Sequence, residues 1–500
     1  MEEYRDRMRQ LIDLAVSAGR AMQSSQTRFF HHSYHQKDEK EIHTIPIYEN
    51  LLFVLALFRL RFPNFFVEGK ELLEKLLYFQ NDKIEVCKGN FPVYLHQYPE
   101  CKDRYQGFNI LLPLYWILRR FSNILGAELT SRTTKAAEEL LVYCQKTSEE
   151  HENPFIYSLK LAAAQVAFGR LWQKVEMENE GLVALEALRE KTMLPDFGTW
   201  YVPSLIAETF VALQMVYPTI PESPWKNLWE RLSTFYDRQC LTYVGPAVRE
   251  EQWGREPMLT TYDYLMGYLG DRYPYRVYQN SYQQLFGALV QPHQELLPTL
   301  QLPSYFEGEL SGHRWITCHG AGYALNVLQR ITPPNPQVDN GFYQLRVVWG
   351  DEMRTRSFVC QGGNSSFVDF EPTADGVDLL FTLDQPVELS HKEKSREVTF
   401  FFDRDENDEI TVGTQKANTF RLGDPVRIRA GGLEIGIQFL LEGGDAHFQG
   451  HLMPGNRLSQ RQLKGDHRFA AHDWQIFLRT IRRQEPSIVR AKISFSCIAP

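Results

Sequence analysis

The sequence predicts a helical (α/α) toroid, read as an incomplete helical barrel, over residues 1–300, followed by an antiparallel β-sandwich over residues 301–500. Three observations predict this. Apolar residues recur at helical spacing in long blocks before residue 300 and alternate in short runs between Gly, Asp and Asn turns after it. The helical blocks are joined by long aromatic and charged loops, such as GNFPVYLHQYPECKDRYQG, DFGTWYVPS and GPAVREEQWGREP, which fit a closed ring of paired helices with a cleft at one rim. At 500 residues the chain also exceeds one ordinary core.

The apolar period places helices over 5–22, 45–60, 68–79, 108–124, 134–144, 155–172, 182–191, 202–216, 224–236, 258–269 and 281–290. No repeat is strict enough for a TPR or HEAT array. Strands are expected over 305–310, 313–318, 324–329, 342–348, 355–360, 366–370, 377–383, 397–402, 410–413, 426–428, 433–440, 447–452, 474–481 and 489–496. Turn signals every 8–12 residues make these a sandwich. The Pro-rich segment 330–340 reads as a loop inside the β domain, and the boundary falls in VQPHQELLPTLQLPS.

Composition excludes several function classes. A net charge of −8 gives no basic surface for nucleic acid. Seven scattered cysteines without a CxxC pair argue against a disulfide framework or zinc knuckle and fit a reducing compartment. The N-terminus starts acidic and lacks the basic start and apolar run of a secretory leader, so a cytoplasmic location is expected. No apolar stretch reaches the roughly 18 residues of a membrane span. Aromatic residues make up 13% of the chain, enough to line a groove for ring-shaped ligands beyond what a core consumes. P-loop, GxSxG and GxGxxG patterns in a strand–helix context are missing.

Two segments carry a family resemblance. GREPMLTTYDYLMGYLG resembles the last toroid helices of heparinase II/III-like lyases, where an acidic residue and Pro precede a helix bearing a Tyr. GHRWITCHGAGYALNVLQRI resembles the first sandwich strands of chondroitin and hyaluronate lyases, where a His and a Gly–aromatic pair enter a strand. As architecture, the order of toroid and sandwich is similar to the heparinase II/III, chondroitin and alginate lyases. The resemblance implies β-elimination on a uronate-containing glycan, in a cleft between toroid and sandwich.

That chemistry needs a group to neutralise the uronate carboxylate and a Tyr or His to take the adjacent proton. The segment 250–264 offers Trp253 to stack on a sugar, Arg255 to hold a carboxylate, Glu256 for substrate contact, and Tyr262 or Tyr264 as base. Tyr264 and Tyr268 share a helix face, which suits packing. The earlier rim loops offer Trp200, Tyr201, Arg104 and Asn109, with Asn109 as the carboxylate clamp and Asn153 as the other candidate. Helix capping is the competing role for both asparagines. His319, with Tyr323, could face the rim from the sandwich.

The alternatives are a glycoside hydrolase with paired carboxylates among Glu251, Glu256 and Asp263, and a non-catalytic scaffold that binds glycan or protein. The expected partner in every reading but the last is a carbohydrate polymer or oligosaccharide. No cofactor is expected. HHSYH and His43 lack an HExxH pattern. His447 and His451 share a strand face and are the one weak pointer to a structural metal. In the acidic run 403–409, Asp408 and Thr414 stand where a calcium loop needs Gly and Glu.

Overall fold

The computed structural model describes residues 2–34, 44–194, 197–246, 259–272, 281–310, 312–331, 343–351, 354–360, 367–384, 396–402, 404–454 and 474–498. Its helical half contains α1 (Glu2–Ala21), α2 (Ile47–Leu60), α3 (Pro63–Leu77), α4 (Gln106–Leu125), α5 (Ala127–Glu150), α6 (Phe155–Trp172), α7 (Val175–Lys191), α8 (Pro203–Leu213), α9 (Lys226–Thr234) and α10 (Thr261–Gly270). The helix expected over 281–290 is the 3₁₀ segment Tyr282–Ala288.

The inner wall of a ring runs α2, α4, α6, α8, α10, each packed on the next. The 3₁₀ segment touches both α10 and α2 and closes the ring, and α1 covers that closure. Helices α3, α5 and α7 pair with α2, α4 and α6 from outside. Composition explains the two layers. Eleven of the 14 residues of α2 are buried, against three of the 17 of α7. A helix apolar all round must be enclosed, whereas one apolar stripe covers a neighbour and leaves a wet face. The outer helices therefore carry fewer apolar residues, and their polar ends give the sequence little to mark them by, which is why α5 and α7 extend beyond the expected 134–144 and 182–191. Gly181 lets α7 approach α6 closely, since a Cβ there would stand 2.8 Å from the Val166 nitrogen.

Strands β1 (Tyr236–Asp237) and β2 (Thr242–Tyr243) form a short hairpin in the helical half. The sandwich strands are β3 (Ser304–Leu310), β4 (His313–His319), β5 (Tyr323–Leu328), β6 (Arg330–Ile331), β7 (Leu345–Gly350), β8 (Thr355–Cys360), β9 (Phe367–Pro372), β10 (Gly376–Leu383), β11 (Arg396–Phe402), β12 (Glu409–Val412), β13 (Thr419–Phe420), β14 (Val426–Ala430), β15 (Leu433–Gly443), β16 (His447–Pro454), β17 (Trp474–Arg482) and β18 (Ser487–Cys497). One sheet has the order β12-β14-β15-β18-β10-β9-β6, the other β13-β16-β17-β11-β8-β7-β5-β4-β3. All pairings are antiparallel. The two-residue strands β6 and β13 are too short to show a period, and β6 opens the segment expected to be loop. Residues 332–340 of that segment lie outside the described residues.

The period of two sorts side chains between two interfaces. Leu325, Val327, Phe358 and Phe400 face the other sheet and meet Ile435, Ile437 and Phe439. Trp315, Leu328, Val359 and Phe401 belong instead to the helical core. The nine-stranded sheet is thus covered on both faces over part of its area, by the second sheet and by the toroid. This explains why β8 is buried at every position while β15 alternates.

Candidate functional site at the mouth of the helical ring

Inner helices α2, α4 and α6 are each followed at once by an outer partner, so these three run in one direction and start at one rim. Lys160 in α6 demonstrates the alignment. Its ammonium donates to Asn109 Oδ1 of α4 at 2.6 Å and to Glu208 Oε2 of α8 at 2.5 Å. Lys160 is only 2% exposed. A buried ammonium needs such partners, because desolvation of an unpaired charge is costly. It also fixes Asn109. Lysine only donates, so the side-chain oxygen of Asn109 turns to it and the amide nitrogen turns away. Tyr157, one turn before Lys160, stacks on Tyr105 with centroids 4.4 Å apart. Burial and the neighbouring Glu208 push its phenol up to about 12.

At the start of α2, Glu49 is 4% exposed and accepts a hydrogen bond from the Tyr34 hydroxyl. Its other oxygen, Oε2, is buried without a hydrogen-bond partner among the described residues. Burial raises the carboxyl from its ordinary 4.5 to about 7, against the lowering effect of the Tyr34 bond. Tyr34 is held by its backbone N–H, which donates to the Tyr94 hydroxyl at 2.9 Å. The His32 ring stacks on Tyr282 at 4.1 Å and meets Tyr34 edge-on at 5.1 Å. Burial lowers the His32 imidazole to about 4, so it is neutral at physiological pH. Tyr48 lies in the field of both Glu49 and Glu208, and burial with these two carboxylates drives its phenol far up. Tyr48 is thus within electrostatic reach of both the Glu49 carboxyl and the Lys160–Glu208 pair.

The raised Glu49 carboxyl has a consequence for stability. Between pH 4.5 and 7 the unfolded chain has released this proton and the folded chain still holds it. Stability therefore falls as pH rises through that window and is level above it, a loss of roughly 3 kcal/mol. Glu49→Gln removes the dependence. Urea unfolding is expected to show the variant gaining on wild type by roughly that amount between pH 4.5 and 8. A difference that stays constant with pH contradicts this environment for Glu49.

The residues expected from the sequence are distributed differently. Asn109 belongs to the mouth, and Arg104 is exposed beside it, its guanidinium 5.9 Å from the Tyr105 ring centroid. Tyr262 and Tyr264 are core residues of α10, 1% and 3% exposed, and Tyr262 meets Tyr236 and Tyr243 edge-on. Asp263 caps its own helix, accepting from the Thr260 N–H at 2.9 Å. Trp200 is buried and donates from its indole to the Thr192 carbonyl. Tyr201 joins toroid to sandwich: its hydroxyl donates to the Glu309 carbonyl and accepts from the Trp315 indole, both at 3.0 Å. His319 is buried in the same joint, 2.8 Å from the Thr234 carbonyl and 3.7 Å from Asp237. Tyr323 packs on Phe495 inside the sandwich. Asn153 donates to Ser148 Oγ at 2.6 Å. Glu250, Glu251, Trp253, Arg255 and Glu256 lie outside the described residues. His451 stacks on Phe477, and among the described residues no three His, Cys, Asp or Glu side chains gather as a metal site. Among these residues no helix is long and apolar enough to cross a membrane.

Tyr34, Tyr48, Glu49, Lys160, Glu208 and Tyr282 escaped the sequence reading as site residues, and His32 was met only in the HHSYH run that was set aside as a metal group. A usable signal was present. YENLLFVLALF, YSLKLAAAQVAF and SLIAETFVAL each hold one charge inside an otherwise apolar helix. Such a helix is enclosed, so its lone charge must be buried with a partner.

No family model and no curated protein matches the sequence. Solved structures similar to this chain include a heparinase III, at TM-score 0.46 and 9% identity, over 99% of this chain and 85% of that one. A heparan sulfate lyase from Pedobacter heparinus is similar at TM-score 0.40 and 9% identity, over 99% and 84%. Toroid followed by sandwich is the fold of this chain on its own helix and strand contacts.

Proposed function

We propose that the mouth of the ring binds an anionic, uronate-containing glycan and cleaves it by β-elimination. The observation that carries this reading is the Tyr34 hydroxyl bonded to a buried Glu49 carboxyl whose proton affinity lies near neutrality. A group poised near the working pH both accepts and returns a proton efficiently. Tyr34 takes the proton beside the uronate carboxylate while passing its own to Glu49. The C4–O bond then breaks, and Glu49 returns the proton through Tyr34 to the leaving oxygen. The net change moves one hydrogen from carbon to oxygen and leaves the protein as it began. Asn109, with its amide nitrogen turned away from Lys160, and the exposed Arg104 hold the substrate carboxylate as charge builds on it. Tyr105 and the Tyr282–His32 stack supply flat faces for sugar rings.

The test incubates the protein with uronate polysaccharides and follows the ultraviolet absorbance of the unsaturated product. Absorbance that rises with wild type and not with Glu49→Gln supports elimination. New reducing ends without absorbance support the second reading, hydrolysis with Glu49 as acid and the Lys160-paired Glu208 as its partner, which the neutral form of buried Glu49 favours.

A further inference from the structure

The other end of the ring carries a cavity of ≈ 800 Å³ between α1 and the last turns of α2 and α4. Arg9, Arg59, Arg61 and Arg120 line it, with Phe62 and Phe121, and among the described residues none of its lining is acidic. The protein as a whole has a net charge of −8, so this concentration of positive charge runs against its composition. The sandwich cavity of ≈ 740 Å³ offers a contrast, since its Arg354 and Arg356 are neutralised inside the cavity by Asp405 and Asp408.

The arginines differ in their commitments. Arg59 donates to the Ala288 and Val290 carbonyls at 2.7 and 2.6 Å and so anchors the ring closure. Arg9 has one loose, exposed pair with Asp13 at 3.8 Å. Arg120 lies 5.2 Å from the Trp116 ring centroid. Arg61 follows α2 at φ +61°, a left-handed position that turns the chain sharply, and it makes no ion pair among the described residues. Phe62 beside it is 46% exposed. Guanidinium forks match the paired oxygens of an oxyanion, and an exposed ring beside them favours a ligand with a flat or apolar body.

We infer that this cavity is a second binding site, separate from the mouth, for a small phosphate or sulfate ester carried on a ring-shaped body. The ester oxyanion lies among Arg9, Arg61 and Arg120, and the ring lies on Phe62 and Phe121.

Calorimetric titration with phenyl phosphate, phenyl sulfate, inorganic phosphate and phenol tests this on the full chain. The expected result is one saturable site for the phenyl esters, weaker binding of inorganic phosphate and none of phenol. Arg61→Gln and Arg120→Gln each weaken phenyl phosphate about tenfold, the size of one charge-assisted hydrogen bond. Added salt weakens it further, and Tyr34→Phe leaves it unchanged. Equal binding by both esters assigns the site to oxyanions in general, and a preference names the source. Absence of a saturable site in wild type, full affinity in the folded Arg61→Gln/Arg120→Gln double variant, or loss in Tyr34→Phe overturns the assignment.

Discussion

Tyr34→Phe is expected to lower kcat for glycan cleavage by roughly 10²–10⁴-fold, the range of a positioned acid–base group, with little change in KM. The variant keeps the ring and loses the hydroxyl that bonds Glu49. The backbone bond from Tyr34 to Tyr94 and the edge contact with His32 do not involve that hydroxyl, so the loop stays in position. Glu49 then loses the Tyr34 bond in a buried setting, and its carboxyl rises further from the ordinary carboxylate range. The comparison of kcat with the urea midpoint separates the two roles of Tyr34. A fall in kcat far larger than the modest midpoint drop expected from the lost Glu49 bond identifies a proton-transfer group. An equal loss in both identifies packing alone.

The second large effect is on folding. Lys160→Met is expected to destabilise the protein by about 3 kcal/mol, measured as the urea unfolding free energy at pH 7. Methionine fills the space of the lysine stem but gives nothing to Asn109 or Glu208. Glu208 retains 30% side-chain exposure and recovers part of its loss through water, which keeps the figure at the lower end for a broken buried pair. Asn109 is released from its fixed orientation, so a carboxylate held by its amide binds more weakly. A rise in KM accompanying the lost stability follows from the same contact. Lys160→Arg does not restore it, because the longer planar fork does not fit a site built for one nitrogen between three inner helices.

The architecture was legible because it rests on periodicity. The inner helices are apolar all round and the sandwich strands alternate, so the switch near residue 300 separates ring from sheets without any motif. The site was less legible because it depends on which end of each helix faces the rim. Tyr262 lies in the first turn of α10, and the hairpin tyrosines Tyr236 and Tyr243 cover its ring. Nothing in its local sequence distinguishes that tyrosine from Tyr34, which lies in the HHSYH run set aside for lacking an HExxH pattern. His319 illustrates the same limit. Its strand end was identified, but the Thr234 carbonyl that receives it is 85 residues earlier in the chain. Asn109 was found because polar residues that open a helix invite the question of what they hold. Glu49, Lys160 and Glu208 required the opposite question, why a helix enclosed on all sides keeps a single charge.

The central claim is that the Tyr34–Glu49 pair at the ring mouth moves a proton in an elimination. The most direct measurement is the mass of the products released from a defined uronate oligosaccharide by wild type and by Tyr34→Phe. The account predicts that the wild-type fragments sum to the mass of the intact oligosaccharide, one fragment carrying a new double bond, and that the variant releases almost none. Fragments that sum to the substrate plus one water, or equal release by the variant, contradict it.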